Sequence, residues 1–270
     1  MLVSKNDPHQ GMNITSVVNK DIMSQIRGGD YQHPGEEDAI EILFSEIEKK
    51  KESLFLDVGC GYGGSARYLF RKKWGKVIGI DINKDVVQIA KEKTCGSRES
   101  NLAPMFLTAD VLDIDNVLRD SFSHTLIFDV IYSMSSFFLL PEQQLTLTKL
   151  ADVSRAGTKL LIFDYVNYKN YNPNSYLENG ISLLPNVIHF EAIEDLFNAS
   201  CWDVSSIKKI DGHFVLWYTE LLSKIERNEA AIIEQYCKNT FDCFIKRYRH
   251  ILNNLISGVL GGVIISACLC

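Results

Sequence analysis

Three glycines and a following aspartate are the residues of this chain whose spacing points most directly to chemistry. Gly59, Gly61 and Gly64 satisfy the pattern G-x-G-x-x-G directly after the apolar run 54–58, and Asp81 ends the next apolar run. This order predicts a buried strand, a turn that opens a helix, and a second strand ending in a carboxylate. In an open α/β sheet, these parts form a nucleoside pocket whose acid binds the ribose hydroxyls. The glycine spacing alone also permits an NAD-type dinucleotide.

Asp57 separates two classes of ligand for this turn. It lies two residues before Gly59, where it would face whatever the turn holds. A carboxylate there would repel a pyrophosphate and attract an ammonium group. S-adenosylmethionine combines an adenosine, whose ribose Asp81 would bind, with an α-amino group that Asp57 would attract directly or through water. The residues therefore favour S-adenosylmethionine over a dinucleotide.

Residues 57–64, Asp-Val-Gly-Cys-Gly-Tyr-Gly-Gly, resemble the first motif of the Rossmann-like S-adenosylmethionine-dependent methyltransferases. The resemblance implies that the cofactor, and its product S-adenosylhomocysteine, contact both this motif and the ends of the next three strands. The implied cofactor-binding residues are Asp57, Gly59, Cys60, Gly61, Gly63, Gly64, Asp81, Ile82, Asp110, Val111 and Ser133.

These residues would have different roles. Ile82 would lie against the adenine, Asp110 would accept from its exocyclic amine, and Ser133, after a strand at 128–132, would border the methionine moiety. Two alternatives remain open in the sequence. Asp81 could instead cap the following helix, and Asp113 competes with Asp110.

Strand-like and helix-like segments alternate from residue 36 to 165, which indicates an α/β fold with a parallel sheet. The fifth strand is expected at 159–163, and later strands at 203–210 and 261–270. The resemblance implies a Rossmann-like, seven-stranded, mostly parallel sheet flanked by helices, with an antiparallel last strand. It also implies a helical cap inserted after strand five and before the last strand.

The chain is expected to divide into four parts. Residues 1–35 would form an N-terminal segment folding over the cofactor, and 36–165 the S-adenosylmethionine-binding core. Residues 166–260 would form the cap and substrate region with strand six, and 261–270 the final strand of the core sheet. Because ligands of open α/β sheets bind at the carboxyl ends of the strands, the cap is expected over the substrate.

Candidates for catalysis lie outside the cofactor motifs. Tyr31 and His33 belong to a segment that resembles the pre-helix segment of sarcosine/dimethylglycine, phosphoethanolamine and ubiquinone-type methyltransferases, where it covers the methionine end of the cofactor. Tyr165 begins an aromatic cluster that could bind a cationic amine. His189 and His213 are candidate bases that flank cap segments. The general base stays unassigned, because the stretch 133–140 contains no acid and no histidine.

Composition limits the partners. A net charge of −6 gives no general attraction to nucleic acid, and no metal-binding spacing is evident. The apolar C-terminal segment 256–270 is too short to span a bilayer, and the N-terminus shows no secretory signal. Seven scattered cysteines indicate free thiols in a reducing cytoplasm.

Together these features predict an S-adenosylmethionine-dependent methyltransferase that acts on a small molecule. The missing base favours an amine acceptor, such as glycine, sarcosine, dimethylglycine or phosphoethanolamine. The alternatives are methylation of a phenolic, quinone or carboxylate small molecule, an NAD-dependent oxidoreductase, and a cofactor-binding protein without catalysis. The sequence gives no information on oligomeric state.

Overall fold

The structure is a computed structural model that describes residues 14–95, 103–122 and 126–270. Its elements are numbered in chain order. They are α1 (Val17–Arg27), α2 (Glu36–Leu43), β1 (Leu54–Val58), α3 (Gly64–Arg71), β2 (Lys76–Asp81), α4 (Lys84–Thr94), β3 (Met105–Thr108), α5 (Ile114–Phe122), β4 (Val130–Met134), α6 (Gln143–Asp152), β5 (Lys159–Asn167), β6 (Leu177–Glu178), β7 (Ile181–Ser182), β8 (Ile188–His189), α7 (Ile193–Asn198), β9 (Trp202–Lys209), α8 (Asp211–Arg227), α9 (Glu229–Gln235), α10 (Lys238–Ile256) and β10 (Leu260–Leu269).

One mixed sheet organises these elements. Seven of its strands follow the order β3-β2-β1-β4-β5-β10-β9, and the two-residue β8 pairs with the end of β5. The strands β1 to β5 are parallel, whereas β10 is antiparallel to both β5 and β9. The predicted Rossmann-like sheet of seven strands with a reversed last strand is therefore confirmed.

The central strands are covered on both faces, which explains their nearly continuous apolar sequences. Successive residues of a strand point to opposite faces. Phe55 accordingly belongs to one apolar core with α2, α3, α8 and α10, and Leu56 belongs to a second core with α5, α6 and α7. The rigid edge at which the parallel strands end is thus built between two packed helical layers.

Two strands extend further than the sequence suggests, because buried polar side chains in them find partners. Ser133 was expected after the fourth strand but lies inside β4, where its hydroxyl meets that of Ser136 at 2.7 Å. Asp164 lies inside β5, where its carboxylate accepts from the amides of Phe138 and Tyr165. β5 therefore continues to Asn167, which pairs with Leu260 of β10.

Three further parts of the chain surround the carboxyl edge of the sheet. α1 precedes the sheet, β6 and β7 form a small hairpin after β5, and α8, α9 and α10 connect β9 to β10. Arg247 of α10 joins these parts: it bonds Glu178 of the hairpin through two nitrogens at 2.8 Å each and also donates to Asn19 of α1. No helix in the described ranges is long and apolar enough to cross a membrane.

Candidate active site

A cavity of about 550 Å³ lies at the carboxyl edge of the sheet. This volume is within the usual range of small-molecule sites, about 300–1,000 Å³. One end is lined by residues from the ends of β1, β2 and β3, and the other by the β6–β7 hairpin, β5, α8 and α10, while α1 contributes Lys20 to the first end and Arg27 to the second. The site thus has a nucleoside-type end formed by the sheet and a second end formed by helices and the hairpin.

The glycine turn brings backbone to the cavity where a side chain would not fit. Gly59 has a φ of +76°, and a Cβ there would collide with the side chain of Ser136. The amides of Gly59 and Cys60 both donate to the carbonyl of Ile80 at 2.9 Å. The amide of Gly61 donates to Asp81 at 3.1 Å. These three amides are therefore occupied within the protein and are not a ready cradle for a pyrophosphate.

Asp81 ends β2 at the cavity wall. Its Oδ2 accepts from Gly61, and its Oδ1 accepts from the amide of Asn83 at 3.0 Å. Asn83, not Asp81, caps α4, because its side chain accepts from the first amides of that helix. Each Asp81 oxygen retains a lone pair that can accept from a ligand hydroxyl. Beside it, Ile82 also lines the cavity and is 71% exposed, so it offers an apolar surface for a planar ring.

Asp110 and Val111 line the same end of the cavity from the loop after β3. Asp110 caps the short turn 111–113 by accepting from the amide of Leu112 at 2.9 Å. Asp113 is not part of the cavity wall and is instead bonded to Asn116. Of the two competing acids, the structure therefore brings Asp110 to the site.

Asp57 lies within β1 beneath the turn and is only 3% exposed. One of its carboxylate oxygens has no hydrogen-bond partner among the described residues. Burial raises the pKa of Asp57 to about 7, and the charge of Asp81 also raises it, while the nearby hydroxyl of Tyr132 lowers it. Asp57 is not on the cavity wall, so it would act on a ligand through the turn or through water.

The remaining residues of the first motif pack against the protein interior and support the turn there. Gly63 faces Phe106, which leaves no room for a Cβ, and Gly64 packs against the carbonyl of Asp30. Cys60 is buried, and its thiol pKa is raised well above the ordinary value, mainly by burial. Of this motif, Val58 and Gly59 are on the cavity wall.

The stretch after β4 differs in detail from the sequence expectation. Ser133 is buried and does not reach the cavity; Met134, Ser135 and Ser136 line it instead. Ser135 has a φ of +52°, and its hydroxyl is buried without a hydrogen-bond partner among the described residues. The strand continues two residues beyond its predicted end, and this shift explains why the lining residues follow Ser133.

Of the five candidate catalytic residues, the structure places only Tyr165 at the cavity. His33 is buried between Ser65 and the carbonyl of Pro34, and burial lowers its pKa to about 3, so it is neutral. The Tyr31 hydroxyl donates to Glu37 at 2.8 Å, outside the cavity. The structure therefore brings neither Tyr31 nor His33 to the cavity wall.

The two cap histidines also lie away from the cavity wall. His189 contacts the Asn167 side chain at 3.3 Å, and the exposed His213 packs against the ring of Trp217. Neither is in a position to act as the base, and the reason is local: β8 and the start of α8 turn these side chains towards other neighbours. Within the described ranges, no group of three His, Cys, Asp or Glu residues could hold a metal ion.

Several cavity residues were missed by the sequence reading. Tyr218 of α8 and Tyr248 of α10 join Tyr165, whose hydroxyl meets that of Tyr218. Lys20 and Arg27 reach the cavity from α1. Their seven-residue spacing, which places two side chains on one helix face, was a usable signal. The tyrosines gave none, because tertiary packing alone brings α8 and α10 to this edge.

A sheet of this order, with a glycine turn after its first strand and an acid at the end of its second, defines the Rossmann-like S-adenosylmethionine-dependent methyltransferase class. Residues 49–239 match the family model described as a methyltransferase domain, and the chain belongs to this family. The predicted class of enzyme and its cofactor are thereby confirmed at the level of the family.

Individual relatives are distant. The chain is 22% identical to phosphoethanolamine N-methyltransferase 1 of Zea mays over 236 residues, which cover 87% of this chain and 45% of the maize protein. Among solved structures, the Haemonchus contortus phosphoethanolamine N-methyltransferase 2 with S-adenosyl-L-methionine aligns with a TM-score of 0.79 at 17% identity, covering 93% of this chain and 56% of that one. A putative sarcosine dimethylglycine methyltransferase from Galdieria sulphuraria aligns with a TM-score of 0.75 at 15% identity, covering 92% and 97%. The chain spans less than half the length of the first curated relatives it matches.

Proposed function

We propose that this chain transfers a methyl group from S-adenosylmethionine to a small-molecule amine. The observation that carries the proposal is Asp81, a carboxylate at the end of β2 with free acceptor capacity at the wall of a cavity. A carboxylate in that position can accept both hydroxyls of a ribose. Exposed Ile82 would contact the adenine, and Asp110 would accept from its amino group.

The turn supports this cofactor over a dinucleotide. A pyrophosphate needs free backbone amides, and those of Gly59, Cys60 and Gly61 are occupied. The α-amino group of S-adenosylmethionine needs negative charge or carbonyl oxygens, which Asp57 and the end of β1 provide. Lys20 lines the same cavity, where its side chain would donate to the cofactor carboxylate. Burial lowers the pKa of Lys20, and the charge of Asp81 opposes that shift.

The second end of the cavity fits an amine acceptor. Phe138, Tyr165, Tyr218 and Tyr248 present aromatic side chains there, and aromatic faces attract cationic or partly charged amines. Burial raises the pKa of both Tyr165 and Tyr218, so their phenols remain protonated and are not general bases. A neutral amine needs no strong base, in keeping with a cavity that no histidine of the described residues lines.

When bound, S-adenosylmethionine supplies an electrophilic methyl group on a positively charged sulfur. The contribution of the chain is to orient the two reactants and exclude water. Asp81, Ile82 and Asp110 would hold the nucleoside, and the aromatic residues would hold the acceptor nitrogen in line with the methyl group. The transfer removes charge from the sulfur, so the apolar wall around Met134 and Phe138 favours it.

We place the enzyme in a reducing compartment such as the cytoplasm. All seven cysteines are free in the structure. One of them is buried and two are partly buried, and none of these three has a disulfide partner. Free thiols of this kind persist where glutathione keeps them reduced.

The test combines binding with turnover. Calorimetry should show S-adenosylmethionine and S-adenosylhomocysteine binding to the full chain with no measurable binding of NAD. Mass spectrometry of reactions with amines, phenols and carboxylic acids should then show a gain of one methyl group on an amine. Binding of NAD alone would overturn the cofactor assignment, and methylation confined to phenols or acids would overturn the acceptor class.

A further inference from the structure

Arg27, the last residue of α1, is a buried cation at the cavity whose hydrogen-bonding capacity is unused. Its side chain is 2% exposed, and neither Nε nor Nη1 has a hydrogen-bond partner among the described residues. The nearest acid is Glu36, whose Oε1 lies 3.9 Å from Nε, too far for a hydrogen bond. Leaving charged donors buried and unpaired is costly, so this position favours a ligand that can accept from them.

The charges around Arg27 do not balance. Glu36 is shared with Lys224, which lies 3.5 Å from the same oxygen, so two cations face one carboxylate. Arginine stays protonated at any physiological pH. The neighbouring His33 is neutral because burial, followed by the charge of Arg27 itself, lowers its pKa to about 3. This corner of the protein therefore carries an excess positive charge.

Arg27 belongs to the acceptor end of the cavity. Its charge acts on Tyr218, whose hydroxyl meets that of Tyr165, whereas the other α1 cation, Lys20, is the one influenced by Asp81. Seven residues of α-helix separate Lys20 and Arg27 by about 10 Å along the axis. Lys20 is thus close to the nucleoside end, and Arg27 is positioned to contact a ligand at the aromatic end.

We infer that Arg27 binds an anionic group of the methyl acceptor, either a carboxylate or a phosphate monoester. The inference rests on the proposed function and adds a specificity residue to it. An acceptor with such a group would place its anion against Nε and Nη1 and its nitrogen among the tyrosines. The anion would also offset the repulsion between Arg27 and the positive charge that the bound cofactor brings.

Matched pairs of acceptors test this inference. Phosphoethanolamine is compared with ethanolamine, and sarcosine with sarcosinamide, by calorimetry on the full chain with and without saturating S-adenosylhomocysteine. We expect the anionic member of one pair to bind at least tenfold more tightly than its neutral partner. The pair that shows the preference distinguishes a phosphate from a carboxylate.

Variants assign the preference to Arg27. R27M should remove the preference and leave the affinity for S-adenosylhomocysteine within about twofold, and R27K, which keeps a charge but not the planar group, should retain part of it. Lys224→Met is the matched control, because it removes a cation paired with the same Glu36 and should keep the preference. Melting curves establish that each variant is folded.

The outcomes separate the two proposals. Failure of S-adenosylhomocysteine to bind overturns the proposed function, and the measurements without it still test Arg27. Equal affinity for anionic and neutral partners in the natural protein, or an unchanged preference in R27M, overturns the assignment of Arg27. If R27M does not fold, R27K and the preference of the natural protein decide.

Discussion

The Oδ2 atom of Asp81 accepts a hydrogen bond from the amide of Gly61 at 3.1 Å and so joins the end of β2 to the glycine turn after β1. The proposed ribose-binding residue is therefore also a support of the turn beside it. A change at Asp81 should affect ligand contact and turn geometry together, and the choice of variants has to separate these effects.

Replacing Asp81 should weaken cofactor binding. D81A removes both the ribose acceptors and the support of Gly61, and charge-assisted hydrogen bonds are worth about 1.5–3 kcal/mol each, so we expect at least a tenfold loss of S-adenosylmethionine affinity. D81N keeps one acceptor and should lie between D81A and the natural protein. D113A, which alters an acid outside the cavity, should bind within about twofold of the natural protein. Equal affinities of D81A and D113A in calorimetry would contradict the role of Asp81.

Cofactor affinity should rise with pH as Asp57 ionises. Burial raises the pKa of Asp57 to about 7, so the group is largely protonated at pH 6 and gains charge on passing pH 7. Only the ionised form attracts the α-amino group of the cofactor, which itself stays protonated below its usual pKa of about 7.7–8.0. Calorimetry between about pH 5.5 and pH 7.5 should show tighter binding at the higher values, and D57N should remove the trend.

A ligand without an amino-acid part provides the control for this pH dependence. 5′-Methylthioadenosine offers the same nucleoside but no ammonium group, so its affinity should not follow the ionisation of Asp57. A parallel rise in the affinities of both ligands would contradict the role of Asp57.

The stability of the fold should change with pH in the opposite direction to cofactor affinity. The folded state holds the Asp57 proton more tightly than the unfolded chain, so this group makes folding less favourable as pH rises from about 4 to 7.

Two glycines of the turn should differ in their tolerance of alanine. G59A introduces a Cβ that collides with Ser136, and it forces alanine to adopt the positive φ of this position. Together these two effects should destabilise the protein by about 2–4 kcal/mol. At Gly61, where φ is +53°, the nearest atom to an added Cβ lies at 3.4 Å. G61A should therefore cost only the backbone strain of about 1–2 kcal/mol. Urea denaturation measures both, and equal losses would contradict the close approach at Gly59.

The Glu178–Arg247 pair should contribute far more than a surface pair. Arg247 is fully buried, and removing its carboxylate partner in E178A leaves a buried charge with reduced compensation, which typically costs about 3–5 kcal/mol. Arg249, which lies on the same helix as Arg247, forms an exposed pair with Glu226 of α8 at the same 2.8 Å separation. E226A should cost at most about 1 kcal/mol. The free energies of unfolding of E178A and E226A test this difference. Similar losses of stability in the two variants would contradict the importance of burial.

The sequence predicted that the residues proposed to bind the nucleoside share one edge of the sheet, because strand ends and glycine turns are local patterns. Asp81 and Asp110 follow short apolar strands, and their positions at one edge follow from parallel pairing. The acceptor half is different. Tyr218 and Tyr248 occupy helices whose periodicity says only that one face is buried, and the sequence does not say against what.

Polar residues inside strands were the main source of boundary errors. The sequence predicts that two strands end just before Ser133 and Asp164, since unpaired polar groups are unfavourable in a sheet covered on both faces. Each one is satisfied by a neighbour that lies close only after folding, Ser136 in one case and the amide of Phe138 in the other. Tyr31 and His33 lie away from the cavity wall for a related reason: the side chains of Glu37 and Ser65, respectively, hydrogen-bond them elsewhere.

The reversed direction of β10 keeps the proposed methyl-donor site and the proposed acceptor site on different segments of the chain. Because β10 is antiparallel to β5, its first residue pairs with the last residue of β5, at the edge where the cavity lies. The hairpin and the helices α8 to α10 therefore leave and rejoin the sheet at that same edge. The glycine turn and Asp81 belong to β1 and β2, which β4 separates from β5 and β10 in the sheet. Substitutions in the intervening segments can then change which molecule is methylated, and the part of the protein that binds the methyl donor need not change with them.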